Sequence, residues 1–302
     1  MRKIIIILSV ILLKTSFLLG QSKLAIYEDS LKNLGLIITT DTLEINRTQA
    51  NYDFIKTLVA ALKEKNSYYY PFNQLHDFIS IKKSDDNKLK VFSWFTQAND
   101  GDYRYFGAIQ VNNPNKLELY PLLDNSQSLK NLINLNDTTL QTNKWLGAVY
   151  YQIVPVTGIR EPYYLLLGWK GKSALANSKV IETLKFVNDK PVFGTQVLES
   201  GAKTNTFNSR HIFDYTKSAS MMLRYVKSEN LIVFDHLVAP SKKAEGISDL
   251  YAPDLSYDGF KLKQGKWIFQ ENMKLKNLPD EADEFFIDPA LDAQNTNSVI
   301  KE

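Results

Sequence analysis

The chain contains no cysteine, and this absence excludes two features at once. Disulfide bonds cannot form, although an oxidising compartment normally favours them. A bacterial lipid anchor is excluded as well, because it requires a cysteine at the cleavage site. At 302 residues the chain is long enough to bury a sizeable core without covalent links, so packing has to supply its stability.

Residues that carry familiar catalytic chemistry are also scarce. The three histidines are His76, His211 and His236, so hydrolytic or metal chemistry must use one of them or do without histidine. There is no G-x-S-x-G elbow for a serine nucleophile. The GKS string is no phosphate-binding loop, because Leu166 stands where the first glycine is needed. NDGDYRY lacks the final acid of a calcium loop and predicts a hairpin turn. We therefore expect no cofactor and no metal.

Long apolar runs are confined to the N-terminus. The basic start MRK precedes an apolar stretch from Ile4 to Leu13, which is typical of a cleavable secretory signal. A membrane-spanning helix needs about 20 apolar residues, whereas Lys14 interrupts this stretch. We predict that residues 1–20 are a signal peptide removed after Gly20, with no transmembrane segment remaining. The mature chain is then expected in the periplasm, at the outer membrane or outside the cell. An uncleaved N-terminal anchor is the alternative.

The charge balance removes another class of partner. The formal charge of +3 includes Arg2, Lys3 and Lys14 of the predicted signal, which contains no acid, so the mature chain has no net charge. Nucleic acids and anionic membranes usually bind proteins with an excess of basic residues. We therefore expect no nucleic-acid partner.

The first third of the chain predicts helices. Apolar residues recur every three or four positions between Gln49 and Lys65, which indicates an amphipathic helix. A shorter helix is expected over residues 24–34, and a third helical turn within residues 71–79.

From about Lys88 the apolar period changes to two, and turn residues separate runs rich in aromatic and β-branched side chains. The clearest hairpin places Gln264-Gly265 between FKLK and KWIFQ. The run YYLLLGW (163–169) is apolar on both faces and is predicted at the centre of a sheet. SKVIETLKFV (178–187) fits a helix nearly as well as a strand, and we favour the strand because a turn and KPVFG follow it.

These patterns predict an α+β fold in which N-terminal helices pack on a largely antiparallel β-sheet or sandwich. The number of short strands keeps a β-propeller-like all-β fold as the alternative. We expect a single domain over residues 21–278, helical over 21–80 and β-rich over 81–278. The acidic and polar residues 279–302 are expected to form a flexible tail.

A group of polar residues lies where a late apolar strand ends. LIVFDHLVAP places Asp235 and His236 at that end, and strand ends often carry sites. Because adjacent strand residues point to opposite faces, Asp235 cannot orient His236 directly. Asp254, Tyr257 and Asp258 follow in YAPDLSYDGF, a mixture able to bind a polar ligand or a cation. These five residues are the ligand-binding candidates. Turn chemistry and a strand-edge histidine bonded to backbone are the alternative interpretation, and no catalytic residue is identified.

Aromatic residues are frequent, and some of them are candidates for surface contacts. Exposed rings can stack on sugars or peptides, but tryptophan and tyrosine inside strands usually belong to the core. We expect the tryptophans in the core and the tyrosine triplet at the surface. The residues concerned are Trp94, Trp145, Trp169, Trp267 and Tyr68-Tyr69-Tyr70.

One resemblance extends over most of the chain. The segments that carry it are, in order, DYRYFGAIQ, WLGAVYYQI, YYLLLGWKG, SKVIETLKF, KPVFG, MMLRYV, LIVFDHLVAP and PDLSYDGFKLKQGKW. Together they resemble a group of uncharacterised exported proteins from Bacteroidota, over roughly residues 50–275. The group has no assigned activity, so the resemblance transfers no functional residue. It implies a location in the cell envelope or outside the cell.

Three functions remain open at this point. The preferred one is a non-catalytic exported protein that binds a polar ligand or an envelope partner, because a large β-scaffold is present without an identifiable nucleophile, metal set or cofactor loop. The first alternative is a secreted hydrolase acting on polysaccharide or peptide, with carboxylates and His236 as acid and base. The second is a structural component of an envelope assembly, which would expose a large apolar patch.

The export prediction can be checked on the mature protein. Mass spectrometry of the protein recovered from its source is expected to find Gln21 as the first residue, because the signal is removed after Gly20. Retention of Met1, with the protein held in the membrane fraction, would instead support the uncleaved anchor.

Overall fold

The computed structural model describes residues 23–273 except 130, 131 and 133. The predicted signal peptide (1–20) and the predicted flexible tail (279–302) lie outside the described residues. Within the described ranges, no helix combines the length and the apolar character needed to cross a bilayer.

Three α-helices lie in the described part: α1 (23–40), α2 (Glu44–Lys63) and α3 (Ser126–Leu129). The start of α2 before Gln49 was not predicted, because Ile45 in its first turn is 72% exposed and breaks the apolar period. Between α1 and α2, Asp41 Oδ1 accepts a hydrogen bond from the Leu43 N–H at 2.8 Å. Short 3₁₀ turns lie at Asn73–Leu75, Leu135–Asp137, Thr142–Lys144, Lys227–Glu229, Lys242–Ala244 and Ser248–Leu250. The first of these confirms the helical turn predicted within 71–79.

The described residues form sixteen strands, most of them short. In chain order they are β1 (Ser80–Lys83), β2 (Leu89–Gln97), β3 (Tyr103–Val111), β4 (Glu118–Leu123), β5 (Leu140–Gln141), β6 (Val149–Val156), β7 (Tyr163–Gly171), β8 (Ala176–Val187), β9 (Lys190–Phe193), β10 (Leu198–Glu199), β11 (Phe207–Asn208), β12 (Arg210–Thr216), β13 (Leu223–Val226), β14 (Leu231–Val238), β15 (Ala252–Lys263) and β16 (Lys266–Gln270).

The strands form three sheets, each built on a meander of four consecutive antiparallel strands. Sheet I has the order β1-β2-β3-β4, and sheet II has the order β5-β9-β8-β7-β6, with β12 also paired to β8. Sheet III has the order β11-β10-β16-β15-β14-β13, in which β10 and β16 run parallel. The β15–β16 hairpin turns at Gln264 and Gly265, both with positive φ (49° and 78°), as the tight-turn prediction requires.

The three sheets stack in series, with α1 and α2 on the outer face of sheet I. Buried side chains form one core between the helices and sheet I, a second between sheets I and II, and a third between sheets II and III. Among the described residues no core joins sheet III back to sheet I, as a propeller would require. The α+β prediction is therefore confirmed. The two long helices rule out the all-β alternative.

Sheet II is the central β-layer and is apolar on both faces. On β7, Leu165 and Leu167 belong to the core shared with sheet III, whereas Tyr164 and Leu166 belong to the core shared with sheet I. Burying each such side chain stabilises the fold by about 1.5–3 kcal/mol. Because both faces of sheet II are covered, YYLLLGW shows no polar side. The segment 178–187 is a strand within β8, as predicted.

A charged pair lies inside the core between sheets I and II. Glu182 on β8 and Arg210 on β12 are cross-strand partners, and neither side chain is exposed to solvent. Arg210 Nε donates to Glu182 Oε1 at 2.9 Å. The same guanidinium donates through Nη1 to the carbonyl oxygens of Leu135 and Thr138. The pair thus joins two strands of sheet II to the segment that precedes β5.

Tyr150 on β6 extends this network to sheet I. Its hydroxyl donates to Glu182 Oε2 at 2.5 Å and accepts from the Trp145 indole N–H at 2.8 Å. Its backbone N–H donates to Ser93 Oγ on β2 at 2.9 Å. Burial, together with the nearby Glu182 carboxylate, raises the pKa of Tyr150 well above its ordinary value, so the hydroxyl keeps its proton.

Removing one member of the buried pair is expected to destabilise the protein strongly. Arg210→Met leaves Glu182 buried without its cation and should lower the free energy of unfolding by about 3–5 kcal/mol, measured by urea denaturation. The double variant Glu182→Leu with Arg210→Met should recover most of that loss, because no charge remains in the core. A double variant as unstable as Arg210→Met alone would contradict this account.

Candidate functional site

The polar candidates lie around a break in the pairing of β14 with β15. Asp235 is opposite Tyr257 and Leu237 is opposite Pro253, so residues 254–256 face His236 alone. The ladder therefore holds a bulge of three residues against one, and pairing becomes regular again on both sides.

The bulge is held in place by a local hydrogen-bonded turn. Asp254 Oδ1 accepts from the Ser256 N–H at 2.9 Å and from Ser256 Oγ at 2.6 Å. Between them Leu255 has φ 72° and is 88% exposed. A non-glycine residue in this left-handed region costs roughly 1–2 kcal/mol, so the turn holds Leu255 outward against a conformational penalty. The short Asp-x-Ser spacing favours such a turn.

His236 and Asp258 form a hydrogen-bonded pair beside the bulge. The His236 Nδ1–H donates to Asp258 Oδ2 at 2.6 Å. The Asn272 backbone N–H donates to the other oxygen, Asp258 Oδ1, at 3.0 Å. The Asp258 side chain is 8% exposed and that of His236 is 45% exposed. A nearly buried carboxylate thus fixes the ring, and the rest of the imidazole faces solvent.

Negative charge surrounds the imidazole. The hydrogen bond to Asp258 is the main cause that raises the pKa of His236 above its ordinary value, and the charges of Asp258, Asp254 and Glu271 act in the same direction. Hydrogen bonds from Ser256 lower the pKa of Asp254, so this carboxylate stays charged. The arrangement can bind a polar or positively charged group beside Asp254, and the neighbouring carboxylates favour the protonated form of the imidazole.

Asp235 and Tyr257 take no part in this pair. Asp235 Oδ2 accepts from the Met222 backbone N–H at 2.7 Å, and burial raises the pKa of Asp235. As strand alternation predicts, Asp235 does not orient His236. Tyr257 accepts a hydrogen bond from the Met273 N–H through its backbone carbonyl at 2.7 Å. The structure therefore brings three of the five candidates together: His236, Asp254 and Asp258.

The other two histidines lie outside this region. His211 packs against Phe213 and Phe260, with ring centroids 4.5 and 5.6 Å apart, and burial lowers its pKa to about 4. It is therefore neutral at physiological pH. His76 is exposed just after the first 3₁₀ turn.

In the part of the chain that the structure describes, no group of three or more acidic and histidine side chains is arranged to hold a metal ion. A cavity of about 10 Å³ lies elsewhere, between α2 and the β2–β3 hairpin, with Glu44 and Arg47 among its lining residues. This volume holds about one water molecule.

Sequence reasoning did not identify Leu255, Ser256, Glu271 or Asn272 as parts of the site. Asn272 contributes only its backbone N–H, for which the residue type carries no signal. Glu271 is distant along the chain and approaches His236 only because β16 returns beside β15. The Asp-x-Ser spacing was the one pattern able to indicate the turn at Leu255.

The pairing of His236 with Asp258 predicts a specific titration. We expect an NMR pH titration of the imidazoles to give His236 a pKa above the ordinary 6.5 and His211 a pKa near 4. In Asp258→Asn the His236 value should fall, because the charged acceptor is lost, while His211 serves as the unchanged reference. An identical His236 titration in both proteins would show that the contact does not govern this ring.

Comparisons with known proteins provide no relative from which a site could be transferred. No family model, no curated protein and no solved structure matched the chain. The functional assignment therefore depends on the side chains and the geometry described above.

Proposed function

We propose that the chain is an exported, non-catalytic binding domain that contacts a protein partner through the β14–β15 bulge. The bulge surface is defined by His236, Asp254, Leu255 and Ser256. The N-terminal secretory pattern and the resemblance to exported Bacteroidota proteins support the location in the envelope or outside the cell.

The observation that carries the proposal is the conformation of Leu255. An apolar side chain 88% exposed is unremarkable by itself, but this one also occupies the left-handed region at φ 72°. Such strain persists only where the surroundings enforce it, and it is concentrated at functional positions. Here Asp254 enforces it through two hydrogen bonds from Ser256. A leucine held outward in a fixed position is suited to enter a partner's apolar pocket.

The surroundings of Leu255 indicate the chemistry of the partner. Asp254 is charged and lies beside the half-exposed imidazole of His236. A basic or hydrogen-bonding group beside the partner's apolar pocket would complement Asp254 and His236. Such polar contacts increase the specificity and the association rate more than the affinity.

The hydrolase is kept as a second candidate because of one contact. The 2.6 Å hydrogen bond from His236 Nδ1 to Asp258 resembles the orientation of a general base by a carboxylate. In that case His236→Ala abolishes turnover of a polysaccharide or peptide, whereas Leu255→Gly leaves turnover unchanged. In a binding domain, by contrast, Leu255→Gly weakens binding of the partner.

The partner can be captured by a photo-crosslinking residue placed at position 255 in the source organism. We expect a discrete adduct at position 255. Position 175 is the matched control, because Leu175 is 71% exposed but belongs to the turn between β7 and β8. Identical adducts from the two positions would argue against a specific surface at the bulge.

With the captured protein purified, Leu255→Gly separates binding from folding. Glycine relieves the left-handed strain, so we expect stability to be unchanged or raised by about 1 kcal/mol. Binding should weaken by about tenfold or more, since the apolar anchor is lost. Titration calorimetry and urea denaturation measure the two effects. Unchanged affinity would refute the role assigned to Leu255, and Leu175→Gly is the control variant.

A further inference from the structure

The tryptophans divide into two groups. Trp94, Trp145 and Trp267 are 4%, 0% and 0% exposed, which confirms the prediction that they belong to the core. Trp169, at the end of β7, is partly exposed instead. It lies next to two other accessible rings, Phe95 near the end of β2 and Tyr103 at the start of β3.

These three rings form one continuous aromatic surface. The centroids of Phe95 and Tyr103 are 5.3 Å apart, those of Phe95 and Trp169 are 5.5 Å apart, and those of Tyr103 and Trp169 are 5.8 Å apart. All three distances fall in the range of favourable ring–ring contacts. The surface belongs to two different sheets, because β2 and β3 are in sheet I and β7 is in sheet II.

The rings are held in position from beneath. Tyr105 is buried, stacks on Tyr103 with an interplanar angle of 17°, and donates its hydroxyl to the Gly171 carbonyl at 2.8 Å. The Tyr103 ring rests directly on Gly171, where a β-carbon would lie 2.4 Å from the ring. Only glycine allows this approach. The aromatic surface is therefore built into the fold.

The polar atoms at the edges of the accessible rings differ in their contacts from those of the buried rings. Among the described residues, no hydrogen bond is made by the Trp169 indole N–H or the Tyr103 hydroxyl, whereas the indole N–H groups of Trp94 and Trp145 donate to Asn51 and Tyr150. Neither atom is among the fully buried polar groups that lack a partner, so both keep some exposure to solvent. The surface therefore offers flat apolar faces together with hydrogen-bonding groups at their edges.

Two charged residues that adjoin the rings in sequence make contacts within the protein. Lys170 Nζ donates to the carbonyl oxygens of Leu146 and Gly147 at 2.9 Å and lies 4.3 Å from the Tyr105 ring centroid. Asp102 accepts from Gln127 Nε2 at 3.1 Å. A ligand of this surface therefore meets three rings, one N–H and one hydroxyl, while Lys170 and Asp102 are engaged elsewhere.

From this combination we propose that Phe95, Tyr103 and Trp169 form a binding platform for uncharged sugar rings of a glycan. The apolar C–H face of a pyranose packs on an aromatic ring, and its hydroxyl groups exchange hydrogen bonds with polar atoms at the ring edge. A peptide segment brings its own backbone N–H and C=O groups, so apolar peptides are tested as the competing occupant. The platform does not depend on the β14–β15 bulge, so each proposal is tested separately.

Tryptophan fluorescence of the full mature protein provides the test, because Trp169 is the accessible indole among the four. The probes are neutral hexasaccharides of glucose, mannose, xylose and N-acetylglucosamine, titrated one at a time. We expect a saturable shift of the emission with at least one of them. Both variants lack the reporting indole, so their binding is measured by titration calorimetry. Trp169→Ala should weaken it by about tenfold or more, and Trp169→Phe should weaken it less, because the stacking face remains.

Two further variants separate the platform from a general loss of structure. Gly171→Ala removes no ring but displaces Tyr103, so it should weaken binding by calorimetry while the circular dichroism spectrum stays unchanged. Tyr52→Ala removes a ring that is 56% exposed on α2 and should leave binding unchanged. The proposal is wrong if no hexasaccharide binds, or if Trp169→Ala and Tyr52→Ala behave alike. Binding of apolar peptides at Trp169 without any saccharide binding would also overturn it.

Discussion

The buried ion pair of Glu182 and Arg210 is the interaction on which the arrangement of the sheets depends. An uncompensated charge in such a core costs several kcal/mol, so each group is tolerated only while the other is in place. Arg210 also binds the carbonyls of Leu135 and Thr138, and Glu182 accepts from Tyr150, which reaches sheet I through Ser93. Separating β8 from β12 would therefore leave a charge in an apolar environment, and the Tyr150–Ser93 hydrogen bond ties this network to sheet I.

The stacking of the sheets limits where the protein can expose side chains for binding. Sheet II is covered on both faces by its neighbours, and sheet I is covered by helices and by sheet II. Accessible groups with unusual geometry consequently lie where strand pairing ends or breaks. Leu255 lies in the bulge of β15, and Trp169 lies near the end of β7. A rigid interior thus positions both surfaces, which limits the conformational entropy lost when a partner binds.

Sequence patterns predicted the fold where burial controls the choice of residue. The two-sided apolar run 163–169 correctly indicated the central sheet, whereas exposed Ile45 concealed the start of α2. The candidate site could be predicted from the sequence only in part. His236 and Asp258 were selected because they lie near a strand end and a turn, but their contact depends on how β14 and β15 pair. A bulge of three residues against one shifts that register, and a single sequence does not report such a shift.

The origin of the bulge bears on whether it serves a function. The bulge is a local feature, since β14 and β15 pair regularly on both sides of the break. The interactions that maintain it are local and polar: the Asp254–Ser256 turn, the His236–Asp258 hydrogen bond and the Asn272 N–H on Asp258. These groups hold Leu255 in a conformation that costs roughly 1–2 kcal/mol. The strain is thus offset within the chain, and these contacts fix the leucine outward, as the proposed binding surface requires.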